Sequence, residues 1–156
     1  MLRQKELLAI AAGSVGGAIA IAIMLWLAVA TAFPLMTVPF ATSIVVVMGS
    51  PDVDAARPRA VIGGHLLATL VGLVFVKTLG PSNWIAALAV GAAIAAMHAT
   101  DTFHPPAGID PILAVVYDMS WSFLAVPVGV GACLLAAFAL GWHYLIHRWL
   151  LPRMRM

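Results

Sequence analysis

A polar, proline-containing interruption at residues 101–108 lies between two strongly apolar stretches, and it constrains the fold more than any other feature of the sequence. The interruption reads Asp-Thr-Phe-His-Pro-Pro-Ala-Gly, so it sets an acid, a histidine and a proline pair side by side. Lipid offers backbone groups no hydrogen-bond partners, so a helix broken at membrane depth is tolerated only inside protein or beside a wet cavity. Such breaks are typical of substrate sites in transporters.

The composition identifies the class of protein. Of the 156 residues, 63% are hydrophobic and 9% are charged, whereas a soluble domain has about 45–50% apolar and about 25% charged residues. We therefore predict an all-α membrane protein with a single transmembrane domain over residues 1–156, surrounded by the lipid bilayer. The net charge of +2 is too small to favour nucleic acid as a partner. Cys133 is the only cysteine, which excludes an intramolecular disulfide.

The apolar stretches predict about six membrane segments, four long and two short. A full span needs roughly 20 apolar residues to cross a hydrocarbon core of about 30 Å. The long segments are 7–32, 60–78, 84–100 and 123–149, and the short, broken half-helices are 39–48 and 106–117. The first segment is far longer than the apolar core of a signal peptide, about 7–15 residues, so it is expected to remain as a span.

The distribution of basic residues predicts the topology. If all segments cross and the N-terminus is inside, seven of the eight Lys and Arg residues lie in the cytoplasm and only Lys77 lies outside. If the short segments instead re-enter, Arg57 and Arg59 move outside and Lys77 moves inside. The bias of cytoplasmic loops toward Lys and Arg favours six crossings, with both termini cytoplasmic, in the plasma membrane or the inner membrane of a bacterium.

The order long–short–long occurs twice, which predicts a 3+3 inverted repeat over about residues 7–79 and 83–149. Each half has an odd number of crossings, so the second half is inverted relative to the first. Paired short, Pro/Gly-interrupted segments at matching positions are typical of a binding site near the membrane middle. A half-helix of about 10–12 residues is only about 15–18 Å long, so each begins near that middle.

Two half-helix N-termini, at Pro39 and Pro106, are therefore expected to face each other. A helix N-terminus carries free N–H groups and a partial positive charge, which together bind anions, and proline suits the first helical turn. The simpler alternative is that both prolines only begin short packing helices. The predicted substrate contacts near these N-termini are Thr42, Ser43, His104, Pro105, Pro106, Ala107 and Gly108.

Two histidines and two hydroxyl side chains among the candidates also have structural interpretations. His104 is held in an extended conformation before proline, where it can donate to an anion, carry a proton or merely satisfy loop carbonyls. His65 follows two glycines, and it is as compatible with binding substrate as with bonding a neighbouring backbone group. Thr42 and Ser43 are equally suited to anion contacts and to bonds within the membrane helices.

Asp101, Asp110 and His98 are candidates for proton coupling. A bare carboxylate repels an anion, but burial favours the neutral form, which can carry a proton. For Asp101 the simpler interpretation is an ion pair with Arg57 or Arg59, whereas Asp110 is the stronger candidate because it lies within the fifth segment. His98 precedes Asp101 by one helical turn. No cluster of ligands accompanies these residues, so no metal and no other cofactor is expected.

Small residues and aromatics indicate how the segments pack. His143 and His147 are spaced like a metal pair, but the neighbouring Trp142, Tyr144 and Trp149 favour an interfacial belt in which the histidines reach toward headgroups. A chain of this size buries little on its own, so a homodimer or another homo-oligomer is expected. Close helix contacts are predicted at Gly13, Gly16, Gly17, Gly63, Gly64, Gly72, Gly129 and Gly131.

Several stretches resemble the HPP family of integral membrane proteins. Residues 102–108, Thr-Phe-His-Pro-Pro-Ala-Gly, look like its signature, and residues 58–67 look like its P-R-x-x-x-G-G-H-L stretch. Residues 39–48 are similar to its G-A-S-A-V-L-L-type segment, and 121–128 also fit. The resemblance covers about residues 34–147 in the same order. The chain departs from the family at Asp101, where Thr or Arg is common, and at Ile109-Asp110, where the family often has a small, neutral pair such as Ala-Thr.

The resemblance implies transport, because members in cyanobacteria and chloroplasts are implicated in nitrite transport. The family is usually described with four spans, which agrees with six segments only if the two short ones are left uncounted. We therefore expect a transporter or channel for a small inorganic anion, most specifically nitrite. The alternative is a structural or assembly membrane protein without transport activity. No enzymatic activity is expected, since no nucleophile or metal cluster accompanies the acids and His104.

Overall fold

The computed structural model describes residues 4–31 and 40–149, and every regular element in these ranges is helical. Within these ranges, three apolar helical stretches are long enough to cross a membrane by length and composition: Glu6–Ala30, Pro58–Leu79 and Leu124–Arg148. The prediction of an all-α membrane protein is thereby confirmed. Pro39, the predicted start of the second segment, lies outside the described residues. The α-helices are α1 (Gln4–Thr31), α2 (Phe40–Gly49), α3 (Pro58–Leu79), α4 (Asn83–Ala99), α5 (Asp110–Val116) and α6 (Val130–Trp149).

The break before α5 differs from the prediction of a helix that starts at residue 106. The chain forms a 3-10 helix over Pro105–Ile109, and α5 begins only at Asp110. Pro111 has no N–H with which to bond the carbonyl of Ala107, four residues earlier, so an α-helix cannot run through this point. The N–H of Asp110 bonds that carbonyl instead, in the tighter pattern of a 3-10 turn.

Ion pairs at both ends of α3 fix the directions of α4 and α5. Arg59, near the start of α3, donates to the carbonyl of Thr100 at 2.7 Å and pairs with Asp101 at 3.6 Å, just after α4. Lys77, near the end of α3, donates to Asp118 at 2.6 Å, just after α5. Arg59 and Lys77 are 18 positions apart (77 − 59), or about 27 Å at about 1.5 Å per residue. Residues 101–118 therefore follow α3 over nearly the thickness of a hydrocarbon core.

Two glycines of α3 let residues 101–118 approach this helix closely. A Cβ atom on Gly64 would lie 2.7 Å from the Cβ of His104, and one on Gly72 would lie 2.6 Å from the Cα of Pro111. Neither neighbour is the free end of a flexible side chain, so glycine is required for this packing. The close approach brings the polar residues of the break against the middle of α3.

Helix α2 lies among α1, α3 and α6 and runs opposite to α1. Gly13 of α1 faces the carbonyl of Met48, and Gly17 faces Ile44 at 3.7 Å. The beginning of α2 is thus set against the middle of α1, and its end is set toward the N-terminal end of α1. The apolar core around α2 contains Ala20, Met24, Phe40, Ile44, Val47, Met48, Val61, Phe123, Val128, Ala132, Leu135 and Ala139.

Candidate functional site

A continuous chain of buried polar side chains joins α2, α3 and the break before α5. Nδ1 of His65 lies 2.7 Å from Oδ2 of Asp110, and Nε2 of His65 lies 2.8 Å from Oγ of Ser43. The same Oγ lies 2.9 Å from Nε2 of His104, whose Nδ1 donates to the carbonyl of Ala55 at 2.7 Å. All four side chains are 0% exposed. We call Asp110, His65, Ser43 and His104 the buried polar chain.

The local sequence explains why these side chains meet. Ser43 lies in the first turn of α2, on the side that faces α3, and the ring of Phe40 packs 5.0 Å from that of His65. Gly64 of α3 leaves room for the backbone of the segment that contains His104. Pro105 follows His104 and keeps it extended, with φ −130° and ψ 97°, so that its ring turns inward from a non-helical backbone.

Thr69 is a member of the site that the sequence did not identify. It lies one turn after His65 on α3 and donates to Oδ2 of Asp110 at 3.3 Å. The other carboxylate oxygen, Oδ1, is buried and has no hydrogen-bond partner among the described residues. The spacing of Thr69 from His65 puts both on one helical face, which was the available signal.

The site lies at the middle of α3. Thr69 is 11 positions from Pro58 and 10 from Leu79, counted on the helix bounds. The buried polar chain runs from Asp110 at this height toward Ala55, in the turn Asp54–Ala56 that precedes α3. Asp110 is therefore held at the middle of a helix that is long and apolar enough to cross a membrane.

Ser43, His65 and Asp110 stand in the order of a serine–histidine–aspartate triad, but while the ring of His104 is neutral the proton directions differ from those of a triad. His104 uses Nδ1–H to donate to Ala55, so the Nε2 of its neutral ring is an acceptor. The hydroxyl proton of Ser43 then points to His104, and its oxygen accepts from His65. A triad needs the opposite, a serine that donates to the histidine held by the acid.

The structure brings together some of the predicted substrate contacts and separates others. Ser43, His65 and His104 lie in the buried polar chain with Asp110. Thr42 and Pro105 are exposed, and Pro106 and Gly108 are half-buried. Ala107 is fully buried, in an apolar cluster with Ala68, Ala93 and Met97.

The other two candidates for proton coupling lie at the surface. His98 is exposed and stacks on Phe103, with ring centroids 4.1 Å apart. Asp101 is exposed, pairs with Arg59 as the simpler interpretation predicts, and has a φ of 55°. Neither contacts Asp110. No group of three His, Cys, Asp or Glu side chains suited to a metal ion occurs in the described part of the chain.

Comparison with known proteins identifies the family. The sequence profile described as "HPP, transmembrane region" matches residues 3–150. The chain belongs to the HPP transmembrane family. Two transmembrane proteins of Dictyostelium discoideum are similar to it, 33% and 35% identical over 109 residues. These matches cover 65% of this chain but 35% and 38% of the relatives, so the chain spans little more than a third of their length. No solved structure matches.

The family assignment confirms the resemblance drawn from residues 102–108 and 58–67. The relatives are described only as transmembrane proteins, so membership supports a membrane protein and leaves the substrate to be inferred from the site.

Proposed function

We propose that this chain carries a small inorganic anion across a membrane, as a transporter or a channel, with nitrite as the substrate that the family resemblance implies. The observation that best supports the proposal is the 2.9 Å contact between Ser43 and His104. It joins the first turn of α2 to the residue before Pro105, so the beginnings of both broken segments meet inside the protein. Broken helices at this depth are typical of transport sites.

The chemistry of the meeting point suits a small anion. The N-terminus of α2 carries a partial positive charge, and Ser43 in its first turn lies against His104, a ring that can carry a proton. A second observation is independent of the helix end: Oδ1 of Asp110 is buried without a partner among the described residues. Ionisable groups at membrane depth are functional candidates by default.

We also propose the six-crossing, 3+3 inverted arrangement, with both termini in the cytoplasm and the protein in the plasma membrane or bacterial inner membrane. The pair of Lys77 with Asp118 supports it, since residues 101–118 then cross from one face to the other. Arg57 and Arg59 lie at the face where α2 ends, and the contact of His143 with Val47 brings the end of α6 to that face. Among the basic side chains that the structure describes, Arg57, Arg59 and Arg148 thus share one side, as cytoplasmic residues do.

The proposed surroundings are lipid and a second copy of this chain. Large apolar side chains are exposed on several helices, including Val29, Trp84 and Leu140, and such surface is covered either by lipid or by another protein. A homodimer or another homo-oligomer fits a chain of this size. Neither nucleic acid nor a cofactor is part of the proposal.

A structural or assembly role is the second candidate, and one observation favours it. Both ring nitrogens of His65 and of His104 already have partners, so the buried polar chain suffices to tie α2, α3 and α5 together. An enzymatic role is not proposed, because the Ser43 hydroxyl is buried and engaged on both sides.

Nitrite uptake into proteoliposomes separates these candidates. Protein-free liposomes give the background, because the protonated form of nitrite crosses lipid unaided. We expect the protein to raise uptake above that background, and His104→Gln to abolish the increase at unchanged oligomer size. His98→Gln is the matched control, since His98 is exposed. Uptake equal to that of protein-free liposomes would favour the structural role.

A further inference from the structure

The hydrogen bonds of the buried polar chain determine how many protons it holds. Four bonds connect Asp110, His65, Ser43, His104 and the carbonyl of Ala55 in that order. Each bond contains one proton, and the carbonyl can only accept, so the last proton belongs to Nδ1 of His104. A carboxylate, two neutral imidazoles and a hydroxyl hold three protons and one negative charge. The fourth proton makes the chain neutral overall.

Two proton arrangements satisfy the same four bonds. In the first, Ser43 donates to Nε2 of His104, Nε2 of His65 donates to Ser43, and the fourth proton lies between Asp110 and Nδ1 of His65. In the second, His104 is an imidazolium that donates from both nitrogens. Ser43 then donates to Nε2 of His65, and Nδ1 of His65 donates to the Asp110 carboxylate. Both arrangements have the same net charge and the same bonds between heavy atoms.

Conversion between them moves each proton across a single hydrogen bond. The proton next to Asp110 ends on Nδ1 of His65, the Nε2 proton of His65 moves to the oxygen of Ser43, and the hydroxyl proton of Ser43 moves to Nε2 of His104. Every O–H or N–H bond that breaks is replaced by one on the neighbouring atom. One unit of positive charge thereby shifts from the Asp110 end to His104. The donor and acceptor atoms of the three bonds that exchange protons are 2.7 to 2.9 Å apart.

We propose that Asp110, His65, Ser43 and His104 form a proton relay that couples the movement of one proton to the movement of the anion. This inference rests on the proposed transport function and specifies its mechanism. A cationic His104 beside the first turn of α2 attracts an anion, and a neutral His104 releases it. Without the fourth proton the relay is negatively charged, so arrival of that proton at Asp110 and anion binding near Ser43 favour each other. When the anion leaves, the fourth proton leaves from Nδ1 of His104 at its half-buried contact with Ala55, and the relay again holds three protons.

The two ends of the relay differ in their surroundings. At the Asp110 end, Oδ1 is buried and has no partner among the described residues, so it is the carboxyl atom that receives the incoming proton. A half-turn of the carboxyl group then exchanges its two oxygens and brings this proton to Nδ1 of His65. At the other end, His104 bonds to the turn Asp54–Ala56 before α3, and this turn lies next to exposed residues. The relay thus leads from the middle of α3 toward the face that carries Arg57 and Arg59.

Charged groups on the packed elements are engaged outside the relay. In the turn before α3, Asp54 pairs with Arg57, and on α3 itself Arg59 pairs with Asp101. On α4, His98 is exposed, and on α6, His143 donates to a carbonyl of α2. The proton distribution inside the relay is therefore governed mainly by its own four members.

The relay is tested by measuring nitrite and proton uptake in the same proteoliposomes, loaded with a pH-sensitive dye and corrected for protein-free liposomes. For the wild type we expect proton uptake in fixed ratio to nitrite uptake, and faster nitrite uptake with an inward proton gradient. Asp110→Asn preserves the shape of the side chain but cannot carry the proton. In this variant proton uptake should fall about 100-fold, as expected for loss of a positioned proton-transfer group.

A second variant protects the test against misfolding of the first. His65→Gln leaves Ser43 and His104 in place and interrupts the relay between them and Asp110, so it should also lose proton uptake and the response to the gradient. The exposed His98 provides the control His98→Gln, which should behave as wild type. Size-exclusion chromatography checks that each variant is folded.

The outcomes separate failure of the relay from failure of the transport function. Wild-type nitrite uptake without proton uptake overturns the relay and leaves anion transport standing. Proton uptake at wild-type level in both Asp110→Asn and His65→Gln also overturns the relay. Absence of any nitrite uptake above protein-free liposomes overturns the transport function, and the relay with it.

Discussion

His143 donates a 2.8 Å hydrogen bond from Nε2 to the carbonyl oxygen of Val47. In a continuing α-helix this carbonyl would accept from the residue four positions later, which is Pro51, and proline has no N–H. Helix α2 ends at Gly49, so its last carbonyls have no donors within the helix. A side chain of α6 therefore caps the end of α2 and holds the half-helix at a fixed height.

Loss of this cap should destabilise the protein. His143→Ala leaves the Val47 carbonyl half-buried without its donor, which costs about 1–3 kcal/mol of unfolding free energy. His143→Gln retains a donor and should lose less. Thermal unfolding in detergent measures both, with the exposed His147→Ala as the control. Equal melting temperatures for His143→Ala and His147→Ala would show that the cap contributes nothing.

Gly64→Ala should disturb the site through packing alone. The new Cβ would lie 2.7 Å from the Cβ of His104 and 2.9 Å from the carbonyl oxygen of Thr102. Both atoms are fixed to backbone, so relief requires the chain to move, at a cost of about 1–3 kcal/mol. We expect a lower melting temperature and reduced anion uptake.

Gly91→Ala is the matched control for Gly64→Ala. Gly91 lies inside α4, and a Cβ there meets nothing within 4 Å. The substitution removes chain freedom from the unfolded state and should stabilise the helix by about 0.5–1 kcal/mol. A similar decrease in melting temperature for both variants would contradict the proposed contact between α3 and residues 102–104.

The residue types of the site could be predicted from the sequence better than the contacts between their side chains. His104 could be identified because ionisable side chains are costly in a membrane. Asp110 could be identified from its place in the fifth segment, Ser43 from its place in the first turn of the second, and His65 from the two glycines before it. Their contacts could not be predicted, because Ser43 and His104 are 61 positions apart in sequence. Such contacts depend on how α2 and the break pack on α3.

The directions of the side chains in the break before α5 also could not be predicted from the sequence. Ala107 was expected beside an anion, but it packs among apolar residues between α3 and α4. The start of α5 depends on Pro111, which forces a 3-10 turn over the preceding residues, and the direction of each side chain changes with that geometry. Thr69 was missed because its only signal in the sequence is the spacing of four residues from His65, and its partner Asp110 lies 41 positions away.

Asp101 should matter for its backbone conformation and not for proton coupling. It follows α4 with a φ of 55°, and its N–H and that of Thr102 bond back to the last turn of the helix. Asp and Asn tolerate this left-handed conformation, whereas Ala pays about 1–2 kcal/mol for it.

Variants at this position separate the two roles. Asp101→Asn removes the ion pair with Arg59 and should leave both stability and proton uptake near wild type, because the pair is exposed. Asp101→Ala should lower the melting temperature, and Asp101→Gly should not. Loss of proton uptake in Asp101→Asn would show that Asp101 takes part in proton coupling.

The topology gives the sharpest test of the architecture. A re-entrant fifth segment would return to the face it left, so Lys77 and Asp118 would lie on opposite faces of the membrane. The two side chains are 2.6 Å apart, which supports the proposal that residues 101–118 cross. In the proposed six-crossing arrangement, the α2–α3 loop is expected in the cytoplasm and the α3–α4 turn outside.

Cysteine labelling in a Cys133→Ala background checks this assignment, because removing the one native cysteine leaves the introduced thiol as the only target. A membrane-impermeant maleimide applied to intact cells should label Pro81→Cys in the α3–α4 turn. It should label Asp52→Cys only after permeabilisation; both native residues are exposed, so neither site is protected by packing. Labelling of Asp52→Cys in intact cells, together with protection of Pro81→Cys, would reverse the orientation of α3 and rule out cytoplasmic termini with six crossings.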